Sequence, residues 1–276
     1  MSYKIIADSS ADKINITSIP TASAPLKIIT NKREFIDDAN LNADEMVAYL
    51  KSYSGKSSTA CPCVNDWLEA FGDSQNIFCI TISSNLSGSF NSACLAATEY
   101  ETLHPDRNVF VIDSLSTGGE MQLIIEKLEE LILNNIPFEE ICKKITEYQK
   151  NTGLLFMLQS LKNLANNGRV SHAVAKISGI LGIRIIGLAS DEGRLDITDK
   201  SRGDKKAVVS IIERMKAAGC KNGKIRISHC QNEELAKTLK TKFEKEFNTT
   251  DIIIQKTGGL CSFYAESGGI IIGFEK

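Results

Sequence analysis

Small hydroxyl side chains crowd into four short segments of this sequence: Asp8-Ser9-Ser10-Ala11-Asp12, Ser57-Ser58-Thr59-Ala60-Cys61-Pro62, Ser83-Ser84-Asn85-Leu86-Ser87-Gly88-Ser89 and Asp113-Ser114-Leu115-Ser116-Thr117-Gly118-Gly119. Ser, Thr and Asp are ordinary helix N-caps, so any one such segment carries little chemistry. Four that follow apolar runs and precede helical patterns read differently. If they meet at one sheet edge, their neutral donors and helix N-termini make a rim suited to a carboxylate or a phosphate. None has the GxGxxG or GxxxxGKS/T spacing of a nucleotide loop, so the anion is not expected to be a bound nucleotide. A hydrolase needs an activated nucleophile, and the sequence has no GxSxG elbow. Ser87 with His172 or His229 as base keeps a serine hydrolase or acyltransferase open. A binding protein for a phosphorylated small metabolite would use the same rim.

The elements that must position these segments follow from hydrophobic periodicity. Short apolar runs at 4–7, 24–29, 77–82 and 109–112 read as buried strands, and amphipathic stretches at 42–52, 64–71, 89–103 and 120–134 read as helices between them. That alternation predicts an open parallel sheet with crossover helices, in which ligands sit beyond the carboxyl ends of the strands. Pro137 starts a further helix, and Gly153 opens an apolar strand with no partner in the first sheet. The second half then reads as helices at 161–165, 173–181, 204–218 and 233–247 among strands at 183–189, 194–198, 224–229, 251–255 and 269–274. The Asp191-Glu192-Gly193 turn makes two of these strands a hairpin. The expectation is an α/β protein of two domains, 1–152 with the parallel sheet and 153–276 with a mixed α+β sheet.

Composition limits the function classes. The 276 residues are 42% hydrophobic, enough for substantial cores. Lys plus Arg total 32 against 34 Asp plus Glu, so no net positive field draws the chain to nucleic acid or anionic lipid. No apolar run approaches the roughly 20 residues of a membrane helix, and the N-terminal run is too short for a signal peptide. A cytoplasmic protein with no integral membrane segment is expected. The eight cysteines are scattered through apolar segments, and Cys61-Pro62-Cys63 has no second pair and no nearby His, so no metal site or cofactor is expected. Trp67, with Leu68 and Phe71, reads as core. His104 reads as a surface helix end.

Ile6-Ala7-Asp8-Ser9-Ser10-Ala11-Asp12 resembles the opening motif of the DegV family. So do Thr59-Ala60-Cys61-Pro62, the 82–93 segment around Leu86-Ser87-Gly88-Ser89, Asp113-Ser114 and Asn167-Gly168-Arg169-Val170-Ser171, all in family order. The resemblance implies a two-domain fold with an acyl chain in a tunnel between the domains. It implies that the carboxylate is held by Thr59 and Ser87, and Ser58, Ser84 and Glu266 are expected as further ligand-binding residues. It also implies a partner, a dihydroxyacetone-kinase-like fatty acid kinase subunit to which the carrier presents its long-chain fatty acid, with no turnover of its own. Burial of about fifteen methylenes at roughly 0.8 kcal/mol each sets an upper bound near 12 kcal/mol, reduced by ordering costs.

Two departures from the family pattern bear on the head-group site. Many members have Thr-Ser-Gln-Pro where this chain has Thr59-Ala60-Cys61-Pro62, which removes a hydroxyl and an amide. Glu266 stands where many members carry a histidine. A carboxylate facing the ligand's carboxylate is repulsive unless the two share a proton, so Glu266 either shares one or points elsewhere, for example to an Arg. Basic residues gather between Arg169 and Lys206, among them Lys176, Arg184, Arg194 and Lys200. Arg169 and Arg202 fall on family Arg positions and are expected to dock an acidic partner or steer a phosphorylated product.

Overall fold

The structure, a computed structural model, describes residues 2–175 and 182–276. The first half runs β1 (Tyr3–Asp8), a 3-10 turn (Ser9–Ala11), β2 (Thr21–Ala24), β3 (Lys27–Thr30), β4 (Glu34–Ile36), α1 (Ala43–Ser52) and β5 (Ser57–Ala60). It continues with α2 (Val64–Phe71), β6 (Asn76–Thr81), α3 (Ser89–Leu103), β7 (Asn108–Asp113), α4 (Gly119–Leu133) and α5 (Phe138–Gln149). The second half comprises β8 (Thr152–Leu158), α6 (Lys162–Asn166), α7 (His172–Ala175), β9 (Ile183–Ala189), β10 (Leu195–Arg202) and α8 (Asp204–Ala217). It ends with β11 (Ile225–His229), α9 (Glu233–Glu246), β12 (Ile252–Lys256), α10 (Gly259–Ala265) and β13 (Ile270–Glu275). The expected helix over 173–181 lies outside the described residues from position 176 onward, as does Lys176.

Four strands form a parallel sheet in the order β2-β1-β6-β7. All six residues of β6 are buried, because α2 and α3 cover one face and α4 and α5 the other. Burial on both faces is what turns the strand into a continuous apolar run. Trp67 is fully buried in the α2–α3 layer and donates its indole N–H to Ser92 Oγ at 3.1 Å. The second sheet is mixed, in the order β10-β9-β8-β13-β11-β12, with α8 and α9 on one face. A small antiparallel sheet, β4-β3-β5, packs with α1, α6 and α10 against its other face.

The sequence-based run 24–29 is not one strand. Pro25 lacks an N–H and fixes φ, so the chain breaks there. Thr21–Ala24 stays in the parallel sheet, whereas Lys27–Thr30 crosses to the antiparallel one. The Ser57–Ala60 segment, expected as a turn, is the edge strand β5 paired with β3.

Helix α4 joins the two halves. It lies between the sheets, with Gly119 through Ile125 buried in succession, as expected of a helix covered all round. Its backbone approaches β13 so closely that a Cβ on Gly273 would stand 2.2 Å from Glu120 N. Further along, Glu126 takes both arms of the Arg226 guanidinium from β11, each at 2.6 Å, and Asp251 meets the same cation at 2.8 Å.

Candidate functional site

The β2-β1-β6-β7 order reverses direction beside β1, and the loops after β1, β6 and β7 are tied together at that edge. Asp8 is buried and takes hydrogen bonds from the Ser10 hydroxyl and amide, from Ile82 N (2.8 Å) and from Ser89 Oγ (2.6 Å). Ser83 N donates to Ser116 O (2.9 Å), and Gly118 N to Ser10 O (2.7 Å). Three of the hydroxyl-rich segments therefore converge as their types suggested. Most of their hydroxyls serve the protein itself. Ser9 Oγ accepts from Leu26 N, and Ser83 Oγ donates to Gly193 O across to the second half.

Between this edge and the mixed sheet lies a narrow apolar cavity of about 60 Å³. Ile82 and Leu86 follow β6, and Leu154, Phe156 and Leu158 alternate along one face of β8. Helix α10 supplies Leu260, Cys261, Tyr264 and Ala265, at the spacing of one helix face. Leu164 of α6 and Ile271 of β13 complete the apolar wall. Arg169 also borders it.

Thr59 stands at this cavity through Tyr264, their hydroxyl oxygens being 2.8 Å apart. The Arg169 guanidinium lies 5.8 Å from the centre of the Tyr264 ring, and its Nε donates to Leu86 O at 3.0 Å. Cys61 Sγ is 3.3 Å from where a Cβ on Gly88 would be. The Thr59 strand, the Leu86-Ser87-Gly88 turn and Arg169 thus come together. Ser87 Oγ accepts from Ser89 N (3.3 Å), which leaves its proton free to be donated, and no imidazole hydrogen-bonds it among the described residues. Ser58 is exposed, because alternation along β5 turns it away from Thr59. Ser84 is likewise exposed, its amide held by Asp113.

Glu266 does not border the apolar cavity. Its Oε1 accepts from Ser160 Oγ (2.8 Å) and from Asn163 N (3.2 Å), holding the start of α6, and it faces a separate polar cavity with Lys162. Of the two outcomes expected for it, it points elsewhere, to a hydroxyl and an amide rather than to an Arg. Arg202 is exposed at the end of β10, opposite Ile183 of β9. Arg184 pairs with Asp204 and Arg194 with Glu192, so part of the basic cluster is locally compensated. His104 caps α3, His172 is exposed, and His229 is buried with its Nδ1 accepting from Asn232 N.

Sequence reasoning missed Tyr264. It sits on a buried seven-residue helix, Gly-Leu-Cys-Ser-Phe-Tyr-Ala, whose apolar residues lie on all sides and show no helical period. The start of that helix is held by two buried carboxylates from the first half. Asp37 accepts from Gly259 N (2.6 Å) and Leu260 N (2.8 Å), and Asp12 Oδ1 accepts from Gly258 N (2.7 Å). Asp12 Oδ2 is buried with no donor in bonding geometry among the described residues. Burial pushes both carboxyls up to about 6 from an ordinary 3.8.

These shifts fix the sign of a pH effect. Between pH 4 and 6 the folded chain holds protons that the unfolded chain has released, so these groups lower stability as pH rises through that window. Each group is expected to cost about 1 kcal/mol more at pH 7.5 than at pH 5. Asp12→Asn removes one of the two. Denaturant melts at both pH values should show wild type losing about 1 kcal/mol relative to the variant between pH 5 and 7.5, and an unchanged difference refutes the assignment.

Residues 2–276 match the family described as "Uncharacterised protein, DegV family". The chain belongs to the DegV family. A DegV domain-containing protein of Streptococcus pneumoniae is 43% identical over 282 aligned residues, covering 100% of this chain and 99% of the relative. A DegV family protein from Eubacterium eligens, solved loaded with heptadecanoic acid, is 43% identical with a TM-score of 0.98 over 100% of both chains. The Streptococcus pneumoniae Fatty Acid Kinase (Fak) B3 protein, solved loaded with linoleic acid, is 42% identical with a TM-score of 0.97, covering 100% of this chain and 99% of that one. The parallel sheet and the mixed sheet are accordingly those of a DegV fold. Among the described residues no helix is long and apolar enough to cross a membrane.

Proposed function

We propose that this DegV protein binds a long-chain fatty acid, with the acyl chain in the apolar cavity and the carboxylate held by Thr59 and Ser87. It then presents the acid to a fatty acid kinase subunit of the dihydroxyacetone-kinase-like kind and turns nothing over itself. The observation that carries this reading is a narrow, almost wholly apolar cavity bordered by Tyr264, whose hydroxyl meets that of Thr59. Two solved relatives above 40% identity, loaded with heptadecanoic and linoleic acids, support it. Neutral hydroxyl donors suit a carboxylate at the end of such a cavity, because they pair it without burying an opposing charge. Arg169, which borders the cavity, and the exposed Arg202 are proposed to dock an acidic partner or steer a phosphorylated product.

The proposed division at 152/153 falls one residue inside β8 (Thr152–Leu158), and it is supported by β8 being the first strand in the chain to join the mixed sheet. The proposed setting is the cytoplasm, supported by eight cysteines that are all free thiols.

Native mass spectrometry of protein purified from cells tests the ligand class. Added mass equal to C14 to C18 acids is expected, and a polar metabolite or no ligand defeats the carrier reading. Thr59→Ala with Ser87→Ala is expected to weaken fatty-acid binding roughly ten- to a hundredfold, the worth of one to two charge-assisted hydrogen bonds, without change in melting behaviour. Undiminished lipid retention by the double variant removes the site assignment.

A further inference from the structure

We propose that Tyr264 is a positioning residue for the head group: its phenol donates to Thr59 Oγ1, which frees the single Thr59 hydroxyl proton to point at the ligand's carboxylate. This rests on the fatty-acid reading above and assigns to that site a group outside the hydroxyl loops. A threonine hydroxyl has one proton and two acceptor lone pairs. If it donates to Tyr264, it has nothing left for a carboxylate. The 2.8 Å contact is the one hydrogen bond that Tyr264 Oη makes among the described residues, so the direction of that bond decides whether Thr59 is a donor or an acceptor toward the ligand. The phenol is the more acidic hydroxyl and the better donor, and a bound carboxylate, which only accepts, selects the same direction.

The surroundings favour this arrangement. Tyr264 is held by the Arg169 guanidinium on its ring and by Phe263 packed edge-on at 4.8 Å. Its helix starts on Asp37 and Asp12, so the phenol is carried on a helix anchored at its N-terminus. Burial raises its pKa, the Thr59 bond and the Arg169 charge opposing, and it therefore stays protonated as a donor at neutral pH. In a low-dielectric site a chain of hydrogen bonds running one way polarises each member, so Thr59 becomes a stronger donor than an isolated hydroxyl. The relay supplies the third side of the grip where Glu266 is turned away, and it does so without a second negative charge near the ligand.

Tyr264→Phe keeps the ring, its cavity wall and the Arg169 contact, and deletes only the donor. Titration with heptadecanoic acid and with methyl heptadecanoate separates the two roles. The variant is expected to bind the acid five- to tenfold more weakly and the ester within twofold of wild type. With carbonyl-¹³C heptadecanoic acid, the bound carboxyl should titrate at higher pH in the variant than in wild type, because the ionised form has lost support. Equal weakening of acid and ester, or no change in either, overturns the relay. If Thr59→Ala weakens the acid and Tyr264→Phe does not, the Tyr264 role falls and the carrier reading stands. If wild type takes up neither ligand, both fall together.

Discussion

Leu164→Trp, which fills the apolar cavity from α6, is expected to abolish fatty-acid retention while leaving the protein folded. Leu164 is 4% exposed and borders the cavity opposite β8. An indole there takes the space of several methylenes, each of which contributes about 0.8 kcal/mol when buried. Excluding even five of them removes about 4 kcal/mol, close to a thousandfold in affinity. The substitution enters empty space, so its overpacking cost is expected near the low end of the usual 1–3 kcal/mol, within a stability of roughly 5–15 kcal/mol. Native mass spectrometry should find the variant free of acyl mass, with a cooperative melt a few degrees from wild type. Should Leu164→Trp fail to fold, Ile271→Phe fills the same cavity from β13. A folded cavity-filled variant that carries the same lipid as wild type shows that the acyl chain lies elsewhere.

Gly273→Ala should be the most destabilising glycine-to-alanine change among the described residues. The added Cβ would stand 2.2 Å from Glu120 N and 2.2 Å from Gly119 C. Both are backbone atoms, so no rotamer change relieves the contact; α4 or β13 must move. Neither can move freely. Glu120 itself takes hydrogen bonds from Ser116 Oγ (2.6 Å) and Thr152 Oγ1 (2.7 Å), and further along α4 Glu126 holds Arg226. Because the backbone rather than a side chain must yield, the cost should exceed the ordinary overpacking range and reach about 3–5 kcal/mol. Gly119→Ala, 2.4 Å from Arg226 O, should behave alike from the other side of the contact. Urea unfolding measures both, and a loss below about 1 kcal/mol for Gly273→Ala shows that the two halves are more loosely joined than the structure describes.

Local and periodic signals carried much of this protein. Continuous apolar runs marked β1, β6 and β7 because helices cover both faces of the parallel sheet, and residue types alone marked the loops after them as one rim. The break at Pro25 was present in the sequence but hidden inside an apolar run. What stayed illegible depends on contacts between residues far apart in the chain. The strand character of Ser57–Ala60 comes from pairing with β3 across an intervening helix, and polar residues give an edge strand no period to read.

Helix α10 has no amphipathic face because it is buried all round, so nothing in its composition distinguished it from a loop. Its place is set by Asp12 and Asp37, some 220 residues or more upstream, whose carboxylates accept its first amides. That placement decides which side chain meets Thr59. The sequence by itself determined the sheet order's ingredients and the hydroxyl-rich loops, and its resemblance to the family pointed to Thr59 and Ser87. Only the tertiary structure set Tyr264 beside Thr59 and turned Glu266 to α6, because a helix of seven residues takes its rotation from what packs around it rather than from its own sequence.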